Sequence, residues 1–288
     1  MRQNSIRHRK SFIVWHAILI VLFFVPFIPL LAWSLAKGWR FPDLLPTVSW
    51  RAWHYVLSPH SQVKDAIIHS LGLAAATSLL AALIAYPAAR ALGLYVKRWG
   101  KTIRLLLIAP LLLPGISIAI GVHVLFLKLG LADRWLGVLL SHLIQAIPYA
   151  VYLMHGFYAG YDIGYEKQVR LLGANRLQTF YFVELPLLRP VLSLSLLFSF
   201  LISWSQYLVT VFVGGGNLVT VPMLLFSSLA SGDNSLVGAL CMLFVMPALL
   251  IVIFSAMALK KDRYDGSYNG TCNGSFDGKE AGGAEPIH

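Results

Sequence analysis

Long stretches without a single formal charge constrain this chain more than any other feature. Residues 11–36, 66–89, 105–127, 135–161 and 234–259 contain no Asp, Glu, Lys or Arg. Each exceeds the roughly 20 residues that carry a helix across about 30 Å of hydrocarbon. A sixth uncharged run, 190–232, is too long for one crossing, and Gly214-Gly215-Gly216 with Asn217 divides it. That leaves a span at about 190–213 and an apolar piece, 218–231, whose length suits a re-entrant or interfacial segment. Composition agrees: 58% of the 288 residues are hydrophobic and 12% charged. Soluble domains run at about 45–50% and about 25%. A soluble enzyme with an anchor is excluded, because apolar residues fill nearly the whole length. The expectation is an all-α integral membrane protein with six transmembrane helices.

Lys and Arg set the orientation. With the N-terminus cytoplasmic, 17 of the 23 fall on inside segments and 6 outside, so both termini are expected in the cytoplasm. The net charge of +11 is thus a topology signal, and no nucleic-acid partner is implied. Arg2, Arg7, Arg9 and Lys10 resemble the basic start of a signal peptide, but the apolar run behind them far exceeds 7–15 residues, so an uncleaved first helix is expected. The domain reading is a basic cytoplasmic N-terminus over 1–10, a membrane domain over 11–262 and a disordered cytoplasmic tail over 263–288. In that tail the sequons at Asn269 and Asn273 carry no glycosylation argument. Cys241 and Cys272 make no disulfide framework.

All twelve acidic residues lie outside the spans. Ion- and proton-coupled carriers usually hold the coupled charge on an ionisable group inside the bilayer. Here only His16, His69, His123, His142 and His155 stand within or near helices, without an intramembrane carboxylate. Capping or interhelical hydrogen bonding is their reading. A secondary transporter coupled to ions or protons is therefore the alternative rather than the first reading. No His-Glu-x-x-His zinc site and no Gly-x-Ser-x-Gly elbow occurs, so neither a metal nor a catalytic residue is assigned. Gly100-Lys101-Thr102 ends like a phosphate-binding loop, but Tyr95 stands where the other glycine is required. The chain itself binds no ATP and no other cofactor on this reading.

The informative segment is the loop at about 162–190, between the fourth and fifth helices. Val169, Leu172, Leu177, Phe180 and Val183 recur at helical spacing on either side of Gly173. Gly173 can end a first short helix in the left-handed conformation, and Leu185-Pro186 is expected to break the second before the chain re-enters the membrane. The result is a helix–Gly–helix element with Glu166, Lys167, Arg170 and Arg176 on its wetter side.

Gly173-Ala174, a polar residue and Arg176, then nine residues after Gly173 the run Val183-Glu184-Leu185-Pro186, resemble the signature loop of the inner-membrane permease subunits of binding-protein-dependent ABC importers. That family's loop reads roughly Glu-Ala-Ala, three residues, Gly, nine residues, Ile-x-Leu-Pro. The first half departs: Lys167-Gln168-Val169 stand at the Glu-Ala-Ala position, with Glu166 one residue earlier. The resemblance implies a multi-pass protein of the bacterial inner membrane that forms half of a translocation path. A second permease subunit, the same or homologous, would complete that path, and a periplasmic or extracellular binding protein would deliver the substrate. A separate ATPase dimer holding ATP and Mg would dock on the loop through Glu166, Gly173, Ala174, Arg176, Val183, Leu185 and Pro186. The segment 211–228 looks most like the branch serving polyamines, ferric iron, thiamine and aminophosphonates, which implies a polyamine such as putrescine or spermidine. For the path, Ser203-Trp204-Ser205-Gln206-Tyr207 is the densest polar and aromatic cluster in any span. Ser203, Trp204, Gln206 and Tyr207 are its candidate residues, with packing or interfacial anchoring by Trp204 and Tyr207 an equal alternative. Pro110, Pro114 and Gly115 are expected to kink the third helix.

Overall fold

The computed structural model describes residues 15, 18, 21, 22, 24–37, 39, 46–96 and 98–270. Described residues form helices α1 (Phe27–Ser34), α2 (Arg51–Leu57), α3 (Val63–Leu94), α4 (Gly100–Leu112), α5 (Gly115–Leu129) and α6 (Trp135–Ala159). Two loop helices follow, α7 (Gly164–Leu171) and α8 (Arg176–Thr179), and then a π-helical turn, Phe180–Glu184. Helices α9 (Leu185–Trp204), α10 (Leu208–Gly214), α11 (Val221–Ser231) and α12 (Asn234–Gly270) complete the order. Among the described residues the nearest thing to a sheet is an isolated bridge between Ala36 and Val48.

The centre of the bundle is α3 against α6, with α9 laid on both. Small residues on one face of α3, including Ala74, Thr77, Ser78, Ala81, Ala85 and Ala89, are buried. They let α6 approach closely, which is how helices gain contact energy where lipid removes the hydrophobic drive. Leu143, Ala146, Ala150 and Met154 fill the facing side. Leu79 and Leu83, on the opposite face of α3, are 63% and 70% exposed, as suits a surface solvated by lipid tails.

Four described helical segments are long and apolar enough to cross a membrane: Val63–Leu94, Trp135–Ala159, Arg176–Trp204 and Asn234–Ile253. Helices α4 and α5 make a fifth if taken as one span, but they are bent by 96°. The expected third helix is therefore broken, not kinked. Leu113, the residue before Pro114, is extended (ψ 143°), the conformation that the proline ring favours for its predecessor. The expected first span, 11–36, lies partly outside the described residues, and its described end is α1. The expected fifth span, 190–213, also proves discontinuous: α9 stops at Trp204 and α10 starts at Leu208. Helix α11 has 11 residues, about 16 Å, too short to cross. Helix α12 runs to Gly270, past residue 262 where the membrane domain is expected to end, and the tail residues 271–288 lie outside the described residues.

Candidate functional site

Helix α3 has 32 residues and is about 48 Å long, well beyond the thickness of hydrocarbon. The excess carries Arg90 out to the loop. One edge of its guanidinium, Nη2, donates to both carboxylate oxygens of Glu166 at 2.8 Å. The other, Nη1, donates to Glu184 Oε2 and, at 3.2 Å, to the hydroxyl of Tyr86. The Tyr158 hydroxyl on α6 donates to Glu184 Oε1 at 2.6 Å, and Arg170 reaches Glu166 at 3.4 Å. Glu166 and Glu184 are 3% and 1% exposed. Two buried carboxylates facing two guanidiniums close the local charge, without which such burial would cost several kcal/mol per ion.

Glu166 therefore does not lie on the wetter side of the loop with Lys167 and Arg176. Its turn of α7 faces inward because Arg90 waits there. Leu185-Pro186 does not break the chain's helix either. The segment Arg176–Trp204 is helical throughout, and Pro186 follows directly on a π turn, where the regular i→i−4 ladder that a proline interrupts is already altered. Immediately before it, the π turn inserts an extra residue per turn and leaves Glu184 facing Arg90 and Tyr158.

The hinge is as expected. Gly173 has φ +92°; its amide donates to the Arg170 carbonyl at 3.0 Å and that of Ala174 to the Val169 carbonyl at 3.2 Å. This paired closure ends α7 in a Schellman motif. Asn175 then opens α8 with a capping box, exchanging hydrogen bonds of 2.8 Å with Gln178. Large apolar side chains stand on the outer surface of the loop, with Leu171, Leu172, Leu177 and Phe182 87%, 88%, 68% and 77% exposed among the exposed polar Lys167, Gln168, Arg176 and Gln178. Val183 and Leu185 are half-buried in the turn joining this crown to α9.

The path candidates divide in two. Ser203 and Trp204 point into the bundle. Trp204 stacks between Phe200 and Phe244, with centroids 6.0 and 5.8 Å away, and donates its indole N–H to the Phe244 carbonyl. Ser203 pairs with Thr77 and with His142 Nδ1 (2.8 Å), while His142 Nε2 meets Thr210 Oγ1 at 3.0 Å. One imidazole thus grips both sides of the break between α9 and α10. Gln206 and Tyr207 are only half-buried: Gln206 donates to Gln145 Oε1, and Tyr207 stacks on Phe226 at 4.1 Å. Sequence reasoning does not single out Arg90, Glu184, Tyr158, His142 or Gln145 as site residues. Arg90 stands there as a lone cation closing an uncharged run and followed by six uncharged residues, Glu184 appears inside the Val-Glu-Leu-Pro run, and the interhelical hydrogen bonding expected of His142 is found in its contacts with Ser203 and Thr210.

Residues 78–263 match a family described as the binding-protein-dependent transport system inner membrane component. The chain belongs to that family. It is an inner-membrane permease of a binding-protein-dependent ABC importer, a multi-pass bacterial membrane subunit rather than a catalytic enzyme. It is 26% identical to the spermidine/putrescine transport system permease protein PotC of Haemophilus influenzae, over 88% of this chain and 100% of that one. Against the putrescine permease PotI of Escherichia coli K12, identity is 28% over 72% of this chain and 76% of that one. A bacterial ABC transporter importing the acidic polysaccharide alginate shares the fold, with TM-score 0.65 and 18% identity over 89% and 98% of the two chains. The alginate transporter solved with its alginate pentasaccharide-bound periplasmic protein aligns at TM-score 0.59 and 14% identity, covering 88% and 94%.

Proposed function

We propose that this permease spans the membrane six times with both termini in the cytoplasm, forms half of a polyamine translocation path, and takes its energy from a separate ATPase docked on the loop. The observation that carries the docking reading is the apolar crown of Leu171, Leu172, Leu177 and Phe182. Exposed apolar side chains clustered on a loop rooted by buried ions mark a surface built to be covered. Closure of an ATPase dimer holding ATP and Mg would favour one facing of the bundle over the other, because docking free energy differs between them. A second permease subunit would supply the other half of the path, and a periplasmic binding protein would select the cargo. Polyamine cargo is supported by the PotC and PotI relatives. It is also compatible with Gln145, Gln206, Tyr207 and Phe226, neutral amides and aromatic faces over which an ammonium group can pass.

The test is reconstitution of the permease in vesicles with its second permease subunit, its periplasmic binding protein and its cognate ATPase. Bound ATPase, ATP-driven uptake of labelled spermidine, and loss of ATPase binding in Leu172→Glu are expected. Uptake by the permease alone, driven by an ion gradient and indifferent to ATP, would contradict the proposal.

A further inference from the structure

The loop needs more than a docking surface, because its motion must reach the bundle. Helix α7 packs chiefly on α8 and the π turn, not broadly on the spans. At one end it leaves α6 through a turn at 160–163, and at the other it meets the left-handed Gly173. A push on Leu171 or Leu172 would be absorbed at those two joints if nothing else tied the element down.

We propose that Arg90 is the positioning residue that transmits movement of the loop to the helix bundle. Its guanidinium is the one group on the described residues that bonds α7 and the π turn at once, through Glu166 and Glu184. Both partners are buried on the loop side, and Arg90 itself sits on α3, the helix at the centre of the core. Tyr158 extends the joint to α6 by holding the second oxygen of Glu184. Gly93, one turn on from Arg90, permits this closeness, since a Cβ there would lie 2.5 Å from that of Tyr158. The planar fork of arginine fixes two carboxylates in one geometry, whereas a lysine ammonium is a point charge on a flexible stem. Over the joint lies an open groove of about 540 Å³, lined by Arg90, Glu166 and Glu184 together with Tyr95, Arg170 and Phe180.

The inference rests on the docking reading, and the experiment separates the two. The full-length permease is assembled with its second permease subunit and ATPase, with Cys241→Ser, Cys272→Ser and a reporter Asn217→Cys in the exposed outer loop. Labelling by a membrane-impermeant maleimide is measured with and without ATP and vanadate. In the otherwise unsubstituted assembly, trapping should change the labelling rate. Arg90→Lys should keep the ATPase bound but lose most of that change. The triple variant Arg90→Leu, Glu166→Gln, Glu184→Gln, which leaves no buried ion unpaired, should lose all of it. A full ATP-dependent change in either variant overturns the proposal. So does loss of ATPase binding in Arg90→Lys, which would make Arg90 a folding residue. Failure of the ATPase to bind the unsubstituted assembly overturns the docking reading instead.

Discussion

Two buried polar clusters organise this permease, and they are built from different chemistry. At the loop end, Arg90, Arg170, Glu166 and Glu184 are charged and matched in number, with an exposed fringe through Arg170. Midway along the bundle, His142, Ser203, Thr77 and Thr210 hold the broken helix with hydroxyls and an imidazole, and no carboxylate is among them. The difference follows depth. A charge is tolerated where the helix overshoots the hydrocarbon and two counter-ions converge, while deep in the bilayer each unpaired ion is strongly disfavoured. It also follows what each cluster holds together. The ionic joint fixes orientation between separate elements, and the neutral cluster braces a local backbone break.

The sharpest test of that contrast is Arg90→Leu, which leaves buried Glu184 without a cation and Glu166 with only the half-exposed Arg170. It should destabilise the protein by about 3–5 kcal/mol, read as a lowered thermal midpoint in detergent, with most of the loss recovered when Glu166→Gln and Glu184→Gln are added. Equal loss in the triple variant would show that packing, not charge pairing, dominates the joint. His142→Leu should cost less, about 1–2 kcal/mol, because it removes two neutral hydrogen bonds within membrane-embedded helices. A loss as large as that of Arg90→Leu would erase the distinction between the clusters. Gly173→Val forces a β-branched residue to φ +92°, costing about 1–2 kcal/mol. No atom lies within 4 Å of the added Cβ, so hydrogen exchange should accelerate across 164–179 and stay unchanged in α3 and α6.

The smallest effect belongs to an ion pair outside both clusters. Arg51 donates to Asp233 at 2.7 and 2.9 Å, yet their side chains are 60% and 30% exposed. Burial raises the Asp233 carboxyl, but hydrogen bonds from Arg51 and the Leu236 amide outweigh it and leave the group below its ordinary range. With the folded value under the unfolded one, the contribution is present at neutral pH and fades as pH falls below the ordinary carboxylate range. It should amount to about 0–1 kcal/mol, and Arg51→Gln should flatten the acid limb of the stability curve only slightly.

Much of the loop is legible in the sequence. Gly173 is local punctuation, and the left-handed glycine stands where the spacing places it, whereas the Leu-Pro pair misleads, since the helix continues through it. The inward turn of Glu166 is not legible, since its reason is Arg90, 76 residues away. The break at Leu113-Pro114 is half legible: proline announces a disturbance, and only neighbouring helices set its size. At Ser205–Tyr207 there is no proline and no glycine, so nothing local announces a break at all.

Sequence alone determined that this chain lives in a membrane, where most of its spans lie, and that its Lys and Arg are distributed unevenly. Those follow from hydrophobic length and charge, which act residue by residue. Tertiary structure decided which helices are interrupted and which charges are buried. Such outcomes depend on pairs such as Arg90 with Glu184, 94 residues apart, or His142 with Thr210, 68 apart. A buried polar group is stable only where its partner stands, and the fold alone brings such partners together.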